Sequence, residues 1–468
     1  MIEMQQIHFI GVGGAGMSGI AQVMLEMGCK VSGSDLKESR NTERLKKYGA
    51  RIEIGHKAEH IGDADVVVVS SAIPAKNPEV KSAKKEKVPI LRRAEMLARL
   101  CQGKKNIAVA GTHGKTTTTS MIAHMMDTCG LDPTFLIGGE LNDIGSNARF
   151  GRGEYLIAEA DESDGSFLNL SPQIIVLTNI EADHLDYYGD IMHIEEVFLQ
   201  FADKIPPDGL AVVCGDCPNL RKLMGSMDKK FVTYGLGEEN DLRARNLSFQ
   251  SLSSSFDVYL KDKHLGQVHL TVPGVHNIYN ALAAITLGTS LNLPIDEIAE
   301  SLKSFSGVQR RFQLVGQVSD VTVVDDYAHH PTELRATLEA AERGPWNRIV
   351  CIFQPHRFSR TRFLGSDFGD AFSPAHLSIV TDVYAAGEEP IPGVTGKVLV
   401  EAILQRNPRK SVIYLPKKSD VLDFLASHVK QGDLVLTAGA GDIWTVGEGL
   451  LEMLKADLAK VRENGVGQ

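Results

Sequence analysis

The chain has 468 residues, 43% hydrophobic and 23% charged, an ordinary balance for a globular protein of about three domains at ~150 residues each. Its 49 Lys and Arg against 59 Asp and Glu leave a net charge of −10, which argues against nucleic acid or an anionic membrane as the main partner. Apolar runs such as Val66–Val69 and Ile174–Leu177 fall far short of the roughly 20 residues that span a bilayer, and the N-terminus enters a strand without a secretion signal, so a cytoplasmic chain is expected.

The first stretch alternates short strands with helices, the rhythm of a doubly wound α/β sheet. Strand 6–10 runs into Gly11-Val12-Gly13-Gly14-Ala15-Gly16, and a helix follows to Met27. Glycines at this turn let a pyrophosphate approach the backbone at a helix N-terminus. Asp35, ending the next strand, is placed to accept a hydrogen bond from a ribose hydroxyl. The geometry suits NAD or any other nucleotide diphosphate, a uridine diphosphate sugar included. Strand 65–69 ends in Ser70-Ser71, and the polar hinge 102–106 closes this part.

Residues 107–119 are the most informative. An apolar strand turns through Gly111-Thr112-His113-Gly114-Lys115-Thr116 into a Thr-rich helix that continues with Thr117. Such a turn aims backbone N–H groups and a helix N-terminus at an anion, Lys115 adds a mobile cation, and Thr116 offers a hydroxyl to a magnesium ion. The spacing is a shortened form of the phosphate-loop pattern, since Val109 stands six before Lys115. This is a nucleoside triphosphate site.

Strand 155–158 delivers Glu159 and the acidic run 159–164, where a magnesium ligand is expected. The strand 174–178 delivers Asn179 to Asp186, in which His184 is either a second metal ligand or an exposed loop side chain. Cys214 and Cys217 alone among six cysteines have metal- or redox-like spacing, and no second pair completes a site, so reduced thiols are expected. Alternating segments from about 230 to 272 predict a side sheet of the central domain, and an Ala-rich helix opens at 276–280.

The last third returns to α/β, with strands near 321–325, 348–353, 377–382 and 434–437. Cations and rings concentrate in Arg310-Arg311-Phe312, Asp325 to Pro331 and Gln354 to Arg360. Arg357 and Arg360 are spaced to share one helical turn and to grip a carboxylate or phosphate.

Together these segments resemble the Mur ligases, ATP-dependent amide-forming enzymes of bacterial peptidoglycan synthesis. The motifs that carry the likeness run in order: 11–21, 111–118, 159–164, 276–281, 325–331 and 354–361. The resemblance implies an α/β fold in three domains: a Rossmann-like UDP-sugar domain (1–104), a P-loop ATPase-like central domain (105–308) and an α/β C-terminal amino-acid-binding domain (309–468). It implies that Gly13, Gly14, Gly16, Asp35, Ser70 and Ser71 hold the UDP-sugar. Gly111, Thr112, His113, Gly114, Lys115, Thr116 and Thr117 would hold the ATP phosphates, and Thr116, Glu159 and His184 would surround magnesium, or manganese in its place. Asn277, Asn280, Arg311 and Asp326 would bind or orient ATP. Tyr327, His329, His356, Arg357 and Arg360 would receive the amino acid and the transferred phosphate, with Lys115, His329, Arg357 and Arg360 the catalytic candidates. Sister ligases carry a modified lysine fourteen positions after the equivalent of His184; here that position is Phe198, and the alanine-adding branch characteristically lacks the lysine. The substrates implied are therefore UDP-N-acetylmuramate and L-alanine, with no nucleic acid and no membrane, in a monomer or homodimer.

Overall fold

The computed structural model describes residues 5–70 and 72–465. Ser71, a predicted sugar-site residue, lies outside them. Among the described residues no helix is long and apolar enough to cross a membrane.

Three sheets carry the fold. The first comprises β1 (Gln6–Ile10), β2 (Lys30–Asp35), β3 (Arg51–Ile54), β4 (Val66–Val69) and β5 (Ile90–Arg92), all parallel, in the order β3-β2-β1-β4-β5. The order reverses between β1 and β4, so a crevice opens at their carboxyl ends, where Gly11 and Ser70 lie.

The second sheet has ten strands: β6 (Lys105–Ala110), β7 (Thr134–Leu141), β8 (Ser146–Arg149), β9 (Tyr155–Glu159), β10 (Ile174–Leu177), β11 (Leu210–Cys214), β12 (Phe231–Gly235), β13 (Leu242–Gln250), β14 (Ser253–Leu260) and β15 (Lys263–Leu270). Their order is β15-β14-β13-β12-β11-β10-β6-β9-β7-β8. β6 is parallel to both β9 and β10, which puts the ends of those three strands side by side. All four residues of β10 are buried, as expected of a central parallel strand covered on both faces. The antiparallel β7–β8 pair was not foreseen, because Gly138 and Gly139 blur its alternation. The β-like stretch past residue 230 extends the same sheet.

The third sheet, β16 (Gln313–Val318), β17 (Val321–Asp326), β18 (Arg348–Phe353), β19 (Leu377–Val380), β20 (Val412–Tyr414) and β21 (Asp433–Ala438), runs β16-β17-β21-β18-β19-β20. Only β16 is antiparallel to its neighbour. Every residue of β17 and β21 is buried, between one apolar cluster around Phe353, Phe368 and Phe372 and another around Val323, Ile352 and Leu450.

The chain forms two compact units. One runs to Arg245 and adds Asp257–Gly266 and Tyr279–Phe305; the other holds Asn246–Phe256, Gln267–Ile278 and everything from Ser306. The first two sheets' strands up to β12 thus share one unit, and the third sheet lies in the other.

Candidate active site

At the first crevice the glycine turn is fixed from β2. Ser34 accepts the N–H groups of Gly11 and Val12 at 2.8 and 3.1 Å, and Asp35 Oδ2 accepts that of Gly13 at 2.8 Å. A Cβ on Gly13 would stand 2.9 Å from the same carboxylate oxygen, so a larger residue there would have to push the Asp35 side chain from its place. The helix Ala15–Glu26 starts directly from the turn with no side-chain cap, leaving N–H groups for an anion. Gly14, Gly16, Ser70, Arg93, Glu159 and Asp161 line a cleft of about 330 Å³ here, with apolar walls from Met17, Leu97 and Leu136. Arg93 pairs with Asp161 at 3.4 Å. Asp161 belongs to the acidic run 159–164, whereas Arg93 was missed, since a single arginine in an unremarkable helix gives no signal.

The phosphate loop is held by the segment after β10. Asn179 accepts the N–H of Thr112 through its carbonyl at 3.0 Å and that of His113 through its side chain at 2.8 Å. Thr178 Oγ1 donates to the His113 carbonyl at 2.7 Å, and Glu181 N donates to Thr112 Oγ1 at 2.9 Å. Gly111 has φ +141°, and a Cβ there would sit 2.0 Å from Thr178 Oγ1. Gly114 caps the helix Lys115–Thr128 from φ +78°, and Asn280 beside it accepts the Thr118 hydroxyl at 3.0 Å. Thr117 is buried in the first turn. Lys115 Nζ lies 2.8 Å from Glu162 Oε1 and also donates to the carbonyls of Gly111 and Thr112. Burial pushes the Glu162 carboxyl up, to about 7, against the opposing pull of Lys115. Thr116 Oγ1 donates to Glu159 Oε1 at 3.0 Å, while Glu159 Oε2 accepts the Gly138 N–H at 2.7 Å. His184 sits at φ +53° in the loop after β10, with Nε2 3.7 Å from Asp183.

In the other unit, the carboxyl ends of β17, β18, β19 and β21 converge. Asp326 accepts the N–H groups of Phe312 and Ala328, both at 2.7 Å, and burial raises its carboxyl to about 6 despite Arg311. Arg310 bonds Asp325 at 2.9 Å and the Gly439 carbonyl at 2.7 Å, so this member of the cation-rich segment 310–312 serves as an anchor. The guanidinium groups of Arg310 and Arg311 lie 4.9 and 5.2 Å from the centre of the Tyr327 ring. His329 follows, 5.5 Å from Tyr327 and 5.7 Å from His356, ring to ring. Its Nδ1 is 3.3 Å from Glu333. Arg360 is buried, with Nη1 3.2 Å from His356 Nδ1. Tyr384, another residue the sequence did not offer, stacks on His356 and accepts the Arg357 N–H at 2.9 Å through its carbonyl. Arg357 does not share a helical turn with Arg360: at φ +67° it precedes the helix Phe358–Leu364 as its N-cap. Asn277, in the same unit, is buried and donates to the Pro273 carbonyl at 2.7 Å.

Three family models match in succession: the Mur ligase family, catalytic domain at 6–105, the Mur ligase middle domain at 109–288, and the Mur ligase, glutamate ligase domain at 310–441. The chain belongs to the Mur ligase family. A UDP-N-acetylmuramate--L-alanine ligase of Geotalea uraniireducens is 52% identical over 97% of this chain and 99% of its own. The crystal structure of UDP-N-acetylmuramate-alanine ligase MurC from Thermotoga maritima superposes with TM-score 0.83 at 31% identity, covering 97% of this chain and 100% of that one. A murein peptide ligase from Psychrobacter arcticus gives 0.73 at 26% identity, covering 96% and 98%. Membership of the Mur ligase family accounts for a glycine turn and a shortened phosphate loop in one chain, and the NAD reading of residues 11–16 drops away.

The donor set at this Mur ligase loop fits a hard divalent cation. The Thr116 hydroxyl and Glu159 carboxylate are oxygen ligands already side by side, and the buried Glu162 Oε2 has no hydrogen-bond partner. The imidazole of His184, which lies beside Asp183, is a softer donor that suits such a cation less well than these oxygens.

Proposed function

We propose that this chain uses ATP to join L-alanine to the lactyl carboxylate of UDP-N-acetylmuramate, releasing ADP and phosphate, as a step of peptidoglycan precursor synthesis. One observation carries the reading. Glu159 lines the cleft behind the glycine turn and also accepts the hydroxyl of Thr116 in the phosphate loop, so a nucleotide-sugar carboxylate and a γ-phosphate bound at these two places would share one wall.

A carboxylate resists attack by an amine because oxide is its leaving group. Transfer of the γ-phosphoryl group to that carboxylate gives an acyl phosphate; the amine of alanine then adds to the carbonyl carbon, and the tetrahedral intermediate expels phosphate. With the N–H groups of Thr112 and His113 already given to Asn179, the N–H groups at the start of the helix Lys115–Thr128 and the Lys115 ammonium would disperse charge on the phosphoryl group in flight. Magnesium, held by Thr116, Glu159 and His184, would offset the repulsion between two anionic reactants. Lys115 would exchange Glu162 for a phosphate oxygen when the nucleotide binds. Asp326 and Arg311, with Asn277 and Asn280, would orient ATP. Arg357 and Arg360 would grip the alanine carboxylate or the acyl phosphate, and His329, oriented by Glu333, would take the proton of the alanine ammonium. Gly13, Gly14, Gly16, Asp35, Ser70 and Ser71 would hold the uridine diphosphate.

Phe198 supports the alanine-adding branch. It is fully buried against Phe167, 5.4 Å ring to ring, a position where a charged lysine would be costly. The reading places the enzyme in the cytoplasm, where both nucleotides are made, as a monomer or homodimer.

Phosphate release from ATP in the presence of UDP-N-acetylmuramate tests it, with L-alanine, L-serine, glycine and a murein tripeptide offered in turn. Release that ignores the amino acid overturns the ligase reading; release with the tripeptide alone moves the chain to the recycling branch.

A further inference from the structure

Beneath the glycine turn lies a charged cluster that the proposed mechanism does not use. Glu79 is fully buried at the start of the helix Pro78–Glu86. Asn77 caps that helix by accepting the Glu79 N–H at 2.9 Å, and a carboxylate in the first turn is favoured by the helix dipole. Among the described residues no lysine or arginine side chain is bonded to Glu79. Three histidines from three elements surround it instead: His8 on β1 with Nε2 at 3.5 Å, His56 after β3 with Nδ1 at 3.4 Å, and His60 with Nδ1 at 3.0 Å. The Lys57 N–H adds a bond at 3.2 Å, and Ser34 Oγ donates to Oε2 at 2.6 Å.

Ser34 joins this cluster to the site. Its hydroxyl points to Glu79, its carbonyl accepts Gly11 and Val12, and the next residue accepts Gly13. Both strand edges at this position are therefore spoken for: one side chain below and two backbone bonds above. The glycine turn carries only the apolar side chains of Val12 and Ala15, so its polar backbone groups are fixed from outside: the Ser34 carbonyl holds its entry, and Asp35 and Asn41 hold Gly13. A buried carboxylate is costly unless fully bonded, and one so placed holds its partners in one arrangement.

We propose that Glu79, acting through Ser34, is a positioning residue for the uridine diphosphate of the nucleotide sugar, setting the glycine turn at the spacing that a pyrophosphate needs. The inference rests on the proposed function for the identity of the sugar nucleotide, though not for the link between Glu79 and the turn.

The test uses the full chain with Ser34→Ala, Glu79→Gln and the double variant. Each single variant should raise KM for UDP-N-acetylmuramate by about tenfold, the loss of one charge-assisted hydrogen bond, with kcat and KM for ATP unchanged. The double variant should be no worse than the worse single one, because both break the same connection. ATP binding by each variant reports on folding, and Ser34→Ala is the milder change if Glu79→Gln disturbs it. Unchanged KM for the sugar nucleotide, effects that add, or equal rises in both KM values would overturn the inference. If wild type releases no phosphate with UDP-N-acetylmuramate, the functional reading fails, while titration of UDP alone onto wild type and Ser34→Ala still decides whether Ser34 sets the turn.

Discussion

Lys115 and Glu162 form a buried ion pair, Nζ to Oε1 2.8 Å, inside the phosphate loop. The lysine that would meet a γ-phosphate is thus held by an internal carboxylate and two loop carbonyls. Lys115→Ala should abolish ligation and leave UDP-N-acetylmuramate binding intact, because the glycine turn makes its own contacts. Turnover by this variant above about one-thousandth of wild type would remove Lys115 from phosphoryl transfer. Calorimetric titration with the nucleotide sugar checks the second half.

Glu159 has two partners, the Thr116 hydroxyl and the Gly138 N–H. Glu159→Gln keeps the size of the side chain and removes its charge. The magnesium concentration for half-maximal activity should rise about tenfold or more, as expected when a carboxylate ligand of a hard cation becomes an amide. An unaltered magnesium curve would place the metal elsewhere.

Arg357 and Arg360 differ in setting, one an N-cap at positive φ and the other buried against His356. Arg357→Ala should raise KM for L-alanine by about tenfold or more and that for ATP much less, the loss of a bidentate carboxylate contact. Equal effects on both substrates would argue against a local contact.

The glycine turns, the phosphate loop and the strands before them were legible because each couples an apolar run to residues that only such a turn requires. Asp35 and Glu159 were legible as strand-end carboxylates. The misreading of Arg357 has a local cause: spacing of three suggests a helical turn, yet positive φ breaks the helix before it, and no side chain announces that. Arg93, Tyr384 and the Glu79 histidines stayed hidden, as did the pairing of Glu162, a member of the acidic run 159–164, with Lys115, because the partners are distant in sequence: Glu162 lies 47 residues from Lys115, and Glu79 lies 45 from Ser34. A side chain's partner across strands depends on sheet order, which periodicity does not reveal.

His276 provides a prediction with a defined pH window. Burial first, and the charge of Arg311 second, lower its imidazole to about 4, with Glu333 pulling the other way. The folded protein therefore prefers neutral His276, whereas the unfolded chain takes up its proton near pH 6.5. Stability from this group is complete above that value and is lost as pH falls from about 6.5 through about 4. Asp326, raised to about 6, acts oppositely over an overlapping range: its burial costs stability as pH rises from about 4 to 6. Glu79 enters lower. Burial raises its carboxyl, but bonds to His8 and Ser34 and the histidine charges outweigh this and hold it at about 2, so its contribution is lost only from about pH 4.3 down. Comparing wild type with His276→Asn cancels the last two groups. The variant should lose on the order of 1–3 kcal/mol less stability than wild type between pH 7.5 and 5. Urea midpoints at the two pH values measure the difference, and parallel losses in both proteins would show that His276 is not a buried neutral imidazole.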